Sequence, residues 1–410
     1  MLLSRGLGGT TMPIAVYVLG LSIFAQGTSE LMLAGLLPEM SEDLGVSIPA
    51  AGLLISAFAF GMLLGAPILA VLTLKWSRRT ALLLFLGIFT LTHIAGALTP
   101  NYAVLLATRV IGAFVYAGFW SVAAVTVVAM VPANRRARAM SIVTGGLTIA
   151  TIVGLPIGTV LGQHLGWRAA FWTVAGLCIL AMIGVLRTIP AGRPDPAQAP
   201  RLREELKVLV SPRLWLAFAT TALVTASILV VFSYLAPLLI QTTGLPAGAV
   251  PGVLALYGLG SFIGIAIGGR YADALPFHTL FTGITGVIVL SAVLALTAGS
   301  PIVAVAAIFL LGGFGFAVNP ALNARVFSLA GDAPILATAT NFSSFNIGIT
   351  LGPWLGGIAI SAGAGYRSLG WIAVATGLAA LATVVVAAYL PVSSPAHSDQ
   401  GATDRSLPSA

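Results

Sequence analysis

The sequence predicts an all-α membrane protein of twelve transmembrane helices in two six-helix, pseudo-symmetric halves. Three observations predict it. Only 7% of the 410 residues are charged and 58% are hydrophobic, whereas a soluble domain carries about 25% charged residues. Lipid is therefore the expected solvent. Apolar runs long enough to span a bilayer, about 20 residues each, recur along nearly the whole chain. Finally, a shift of 199 positions lays Pro38 on Pro237, Gly45 on Gly244, Gly61 on Gly260, Gly65 on Gly264 and Gly158 on Gly357. The same shift lays Gly166-Trp167-Arg168 on Gly365-Tyr366-Arg367. Shared membrane composition would match alanines and leucines rather than these residues.

The runs are read as helices because a lipid-exposed segment must satisfy its own backbone hydrogen bonds, and no alternating barrel pattern is present. The first run, 12–37, follows only Arg5, lacks a small-residue cleavage site and is too long for a signal-peptide core, so it is expected to remain as helix 1. Glu39, Glu42 and Asp43 follow it with no base between them. Helix 2, 50–74, precedes Lys75, Arg78 and Arg79; helix 3 is 80–98. Helix 4, 102–131, precedes Arg135, Arg136 and Arg138. Helices 5 and 6, 140–163 and 168–188, close the first half, 1–188.

A linker, 189–213, carries Arg193, Arg201, Arg203, Glu204, Glu205, Lys207 and Arg213, with a short interfacial helix expected near 201–210. The second half, 214–391, holds helices at 214–240, 249–271, 276–298, 301–330, 335–361 and 367–391. The tail, 392–410, is rich in Ser, Pro and Ala and is expected to be disordered. The basic gaps follow even-numbered helices of the first half, which places them and both termini on the cytoplasmic side of the cell membrane.

Composition also excludes functions. The net charge of +8 is concentrated in short gaps between apolar runs, a topology signal and not a nucleic-acid face. A single cysteine, Cys178, allows no intrachain disulfide and suits helix packing. Neither lysine, Lys75 or Lys207, precedes Ser or Thr, so the phosphate-binding pattern GxxxxGK[ST] is absent. No metal cluster or hydrolytic triad stands out. An enzyme and a cofactor are not expected, and a monomer is the expected unit. Two six-helix halves with a central linker are the plan of a secondary transporter, whose solute sits near midplane between them.

Two charges fall well inside apolar runs, Glu30 in helix 1 and Arg109 in helix 4. An ionised side chain at a helix centre costs about 2.5–3.5 kcal/mol, so such a group is paired, wet or protonated. Glu30 precedes Pro38 by eight residues, and Arg109 follows Pro100 by nine. At about 1.5 Å per residue both lie roughly 12–14 Å inside the same end. The matched depth permits an ion pair, direct or through water. A carboxylate balanced between a nearby cation and loss of water can load and release a proton. Glu30 is the expected proton carrier, with a permanent structural salt bridge as the competing reading. His93, near the end of helix 3, suits an interfacial position better than a proton relay.

Gln26, Tyr116, Tyr234, Tyr257, Asn319, Asn323, Asn341 and Asn346 are the other polar candidates for solute contact. Aromatics with a few uncharged hydrogen-bonding groups suit a neutral, partly aromatic small molecule. Small residues spaced by four occur at Gly61/Gly65, Gly154/Gly158/Gly162, Gly264/Gly268 and Gly352/Gly356, a spacing that lets helices approach closely.

Several longer stretches carry a family likeness: "GTSELMLAGLLP" (27–38), "SAFAFGMLLGAP" (56–67), "VPANRRARAMSIV" (131–143) and "GLPIGTVLGQHLGWRAAFW" (154–172). Over about residues 12–391 the chain resembles the major facilitator superfamily, within its twelve-helix drug:proton antiporters, and is similar to bacterial chloramphenicol exporters. That resemblance implies drug export against protons. The family's pattern GxLaDRxGRR after helix 2 is matched here only at Lys75, Arg78 and Arg79, with Leu74 where its aspartate is expected. The second-half copy keeps Gly269 and Asp273. The helix 4 pattern is kept at Arg109 and Gly112. The antiporter pattern GxxxGPxxGG is relaxed in helix 5 at Gly154, Pro156 and Gly158, and full in helix 11 at Gly348, Gly352, Pro353, Gly356 and Gly357. By resemblance Lys75, Arg78, Arg79, Asp273, Gly154, Pro156, Gly158, Gly352 and Pro353 are gating positions.

Overall fold

The computed structural model describes residues 12–73, 76–191, 211–272, 274–330 and 334–389, and every long element among them is a helix. In chain order these are α1 (Ile14–Leu31), α2 (Leu33–Leu44), α3 (Ile48–Leu72), α4 (Arg78–Leu98), α5 (Tyr102–Met130), α6 (Arg136–Ile149), α7 (Leu155–Leu165) and α8 (Trp167–Thr188). The second set is α9 (Pro212–Phe232), α10 (Leu235–Gln241), α11 (Val250–Ala272), α12 (Pro276–Thr297), α13 (Pro301–Ala330), α14 (Pro334–Ser361) and α15 (Arg367–Tyr389). Large apolar side chains stand on the outer surface, as at Ile302 (84% exposed) and Leu165 (71%). That is the surface lipid requires and water penalises.

Among the described residues, eleven helical stretches are long and apolar enough to cross a membrane, where the sequence predicts twelve. The one left out is α14. Its first half, "PILATATNFSSFN", is rich in Thr, Ser and Asn, which lowers its hydropathy. This helix packs on α3 and α9, so much of its polar surface is met by protein and not by lipid. The expected linker helix near 201–210 and the tail 392–410 lie outside the described residues.

The internal repeat is visible in the packing. A Cβ added to Gly61 or Gly65 of α3 would collide with the carbonyl oxygens of Val110 and Phe114 on α5. At Gly260 and Gly264 of α11 it would collide with those of Phe309 and Gly313 on α13. Each glycine and each partner differs from its counterpart by the same 199 positions. Only glycine allows the two backbones this approach.

Both sets also begin with a broken helix. Pro38 and Pro237 lack the N–H that would bond the carbonyl four residues earlier. Ahead of each, the chain tightens through a three-residue bond, Gly35 N–H to Met32 O (3.0 Å) and Tyr234 N–H to Val231 O (3.3 Å). Between α6 and α7 lies a five-residue π-helix, Ala150–Gly154. It immediately precedes Leu155-Pro156, whose proline leaves the Ile152 carbonyl without its usual donor.

The two sets meet along several contacts. Ser56 donates to the Thr350 carbonyl (2.9 Å), and Gln163 to the Ala247 carbonyl (2.8 Å). A Cβ on Gly258 of α11 would lie 2.7 Å from the Thr151 carbonyl in the π segment. At the bundle end that carries Asp43, a second tie holds the loops. The Trp167 indole donates to Asp43 (3.0 Å), and Arg168 pairs with the same carboxylate.

Candidate functional site

A cavity of about 230 Å³ lies between the two sets. Its wall takes Glu30, Phe58, Trp120 and Thr151 from the first set and Thr225, Phe232, Tyr257, Phe316, Asn319, Phe342, Phe345 and Asn346 from the second. Seven aromatic rings thus surround a few polar groups, the composition expected for a small, largely apolar ligand. Glu30 is the only charged residue in the lining.

Arg109 sits behind that wall, 2% exposed. Its guanidinium donates to Ser29 Oγ (2.8 Å) and to the Ser29 carbonyl (3.0 Å). The guanidinium carbon lies 4.1 Å from the centroid of the Phe58 ring, a cation–π contact. Its Nε has no partner among the described residues. Glu30 is the charge that acts on it electrostatically. Yet the one salt bridge of 4 Å or less among the described residues is Arg168–Asp43, so the pair anticipated from matched depth is not in direct contact. The reason is local: the guanidinium fork is engaged by the neighbouring residue, Ser29.

His93 is not interfacial. It is 3% exposed, 2.8 Å from the Phe89 carbonyl through Nδ1 and 2.6 Å from Ser29 Oγ through Nε2. It also stacks on Phe89 at 4.2 Å. Nearness to a helix end in sequence said nothing of which face the ring takes, and α4 turns this face toward α1 and α5. With Nδ1–H given to the carbonyl, Nε2 accepts from the Ser29 hydroxyl, whose oxygen accepts from Arg109. The three side chains form one directed chain.

The other predicted residues divide sharply. Tyr257, Asn319 and Asn346 line the cavity. Gln26 and Tyr116 are fully buried outside it. Gln26 donates back to the Ser22 carbonyl (3.1 Å), and the Tyr116 hydroxyl lies near Glu30 and Trp120 without standard hydrogen-bond geometry. Tyr234 is elsewhere, donating to the Pro353 carbonyl (2.8 Å), with its hydroxyl seated where a Gly52 side chain would stand. Asn323 and Asn341 tie α13 to α14 (3.0 Å), and Asn341 accepts from Thr221 of α9 (2.8 Å). None of these five is in the cavity lining.

Of the gating positions, Lys75 and Asp273 lie outside the described residues. Arg78 and Arg79 open α4, with no salt bridge to a described acid. Gly154 and Gly158 pack on Thr28 and Met32 of the first broken helix, and Pro156 follows the π segment. Gly352 packs on the α9 backbone near Val230, beside Pro353. Ser29, Trp120 and the Phe342/Phe345 pair were not singled out from sequence. A serine or phenylalanine in an apolar run carries no mark of the face it will occupy.

An aromatic cavity between two repeated helical sets, with one acid in its wall, defines a multi-pass membrane transporter. The Major Facilitator Superfamily model matches residues 19–334, and the chain belongs to that family of transporters. A chloramphenicol resistance protein of Streptomyces lividans is 42% identical over 344 residues, 83% of this chain and 88% of that one. The inner membrane transport protein YdhP of Escherichia coli K12 is 34% identical over 374 residues, 91% of this chain and 96% of that one. The fold is also shared with a bacterial homologue of the human lysosomal transporter Spinster, solved inward-facing and unoccupied. It has a TM-score of 0.69 at 19% identity and covers 92% of this chain and 96% of that one.

Proposed function

We propose that this chain is a proton-coupled exporter of small neutral drugs, with chloramphenicol or a related amphenicol as cargo. The observation that carries the reading is Glu30, the single carboxylate in the wall of a mostly apolar and aromatic cavity. A lone acid there can exchange a proton with whichever side the cavity faces, while the rings hold the cargo. Arg109 tunes that exchange from behind the wall. It can act at a distance because no direct salt bridge locks the two together.

In this scheme the halves, 1–188 and 214–391, rock about the cavity, and the termini lie in the cytoplasm. A proton enters Glu30 from outside and leaves inside as drug binds. One inward charge across the membrane potential supplies about 2.3 kcal/mol per 100 mV, enough to support a cargo gradient of more than tenfold. The similarity to a chloramphenicol resistance protein supports the choice of cargo. An exporter of sugars or other metabolites is the competing reading, favoured by the amides of Asn319 and Asn346 in the wall. Chloramphenicol accumulation in cells with and without the chain, each with and without an uncoupler, separates them. Drug export expects lower accumulation that the uncoupler restores. Equal accumulation in all four conditions rejects it.

A further inference from the structure

We propose that the cavity selects ligands by hydrogen-bond polarity: it takes neutral aromatic molecules that carry hydroxyl or amide N–H donors, and Asn346 Oδ1 is the discriminating acceptor. The inference rests on the export reading above and adds the chemistry of the cargo.

The two threonine hydroxyls of the wall have already spent their hydrogens. Thr225 donates its hydroxyl to the Thr221 carbonyl (2.7 Å), and Thr151 donates to the Leu147 carbonyl (3.0 Å). A hydroxyl has one hydrogen, so both present only lone pairs to a ligand. Asn346 donates Nδ2 to the Phe342 carbonyl (2.9 Å), which fixes the amide orientation, and its Oδ1 has no partner in a residue 1% exposed. Glu30, when ionised, adds only acceptors. Asn319, Tyr257, the Trp120 indole and the second N–H of Asn346 can donate, so ligand oxygens are not shut out. The surplus is nevertheless of acceptors, set among rings that exclude water.

A buried acceptor left unmatched costs enough to change affinity by about five- to a hundredfold. A ligand whose hydroxyls are capped as esters or ethers brings lone pairs against lone pairs. A site built this way rejects the capped analogue far more strongly than shape alone would.

The test measures equilibrium binding to the purified full-length protein in lipid nanodiscs. The probes are chloramphenicol, an aromatic amide with two hydroxyls, and its di-O-acetyl ester. Wild type is expected to bind the diol at least tenfold tighter than the ester. Asn346→Leu is expected to bring the two affinities together by weakening the diol and strengthening the ester, whose lone pairs no longer meet Asn346 Oδ1; retained binding of the ester reports an intact fold. Thr225→Val is expected to shift the ratio in the same direction, by less. Equal binding of both probes by wild type overturns the polarity inference and leaves drug export standing. A ratio that persists in Asn346→Leu assigns the discrimination to bulk and overturns it too. Failure of wild type to bind either probe removes the export reading and this inference together.

Discussion

Arg109 donates to both the side chain and the backbone carbonyl of Ser29, the residue immediately before the acid in the cavity wall. One guanidinium thereby fixes the turn that presents Glu30 without forming a salt bridge to it. A direct buried pair would hold the carboxylate ionised and contribute little to stability. Holding the neighbouring residue instead leaves the carboxylate open to the cavity.

Glu30→Gln keeps the shape of the side chain and removes its titration. The variant is expected to insert and fold normally and to lose proton-driven efflux. Drug accumulation with and without an uncoupler checks this, and normal uncoupler-sensitive efflux in the variant would rule Glu30 out as the carrier.

Arg109→Ala removes both bonds to Ser29 and the charge near Glu30. Two buried acceptors then lose their donor, a loss of about 1–3 kcal/mol. Transport measured from pH 5.5 to 8.5 is expected to show a displaced pH profile. An unchanged profile would show that Arg109 serves folding alone.

The repeated glycine contacts predict matched effects in the two halves. Gly65→Val and Gly264→Val each force a side chain against the backbone of the next helix, at Phe114 and Gly313. Each is expected to destabilise by about 1–3 kcal/mol, read as a lowered Tm in detergent. A large loss in one half with none in the other would contradict structural equivalence at these sites.

At the loop end, the hydrogen bond from Arg168 holds the Asp43 carboxyl below the usual carboxylate range, against slight burial and with help from Trp167. The stabilisation is therefore fully present above the ordinary carboxylate range and is lost as pH falls through the lowered value. Both side chains are partly exposed, which limits the effect to about 0.2–1 kcal/mol. The Tm difference between wild type and Asp43→Asn is expected at neutral pH and should vanish in acid. A difference constant with pH would assign it to packing.

Much of the fold was legible because lipid imposes long apolar runs and close helix pairs demand glycine at fixed spacing. Gly61, Gly65, Gly260 and Gly264 carried both signals. The exception, α14, was found by its length, yet its polar first half keeps it below the apolarity of a spanning helix. The site was legible where chemistry is rare in lipid: Glu30 and Arg109 stand out among apolar neighbours, and the polar candidates Tyr257, Asn319 and Asn346 line the cavity. Ser29, His93 and Arg109 come from three different helices, so their hydrogen-bonded chain is a product of packing and has no linear signature. Tyr234 and Gln26 show the converse. Polar residues in a membrane helix need partners, and most find them in the neighbouring backbone rather than in a ligand.

The central claim is that cargo and proton compete through Glu30. It is tested most directly by adding chloramphenicol to detergent-purified protein in weakly buffered solution and following proton release with a pH indicator. Wild type should release protons as drug binds, and Glu30→Gln should bind drug and release none. Drug binding to wild type with no proton release, or equal release from the variant, would contradict the account.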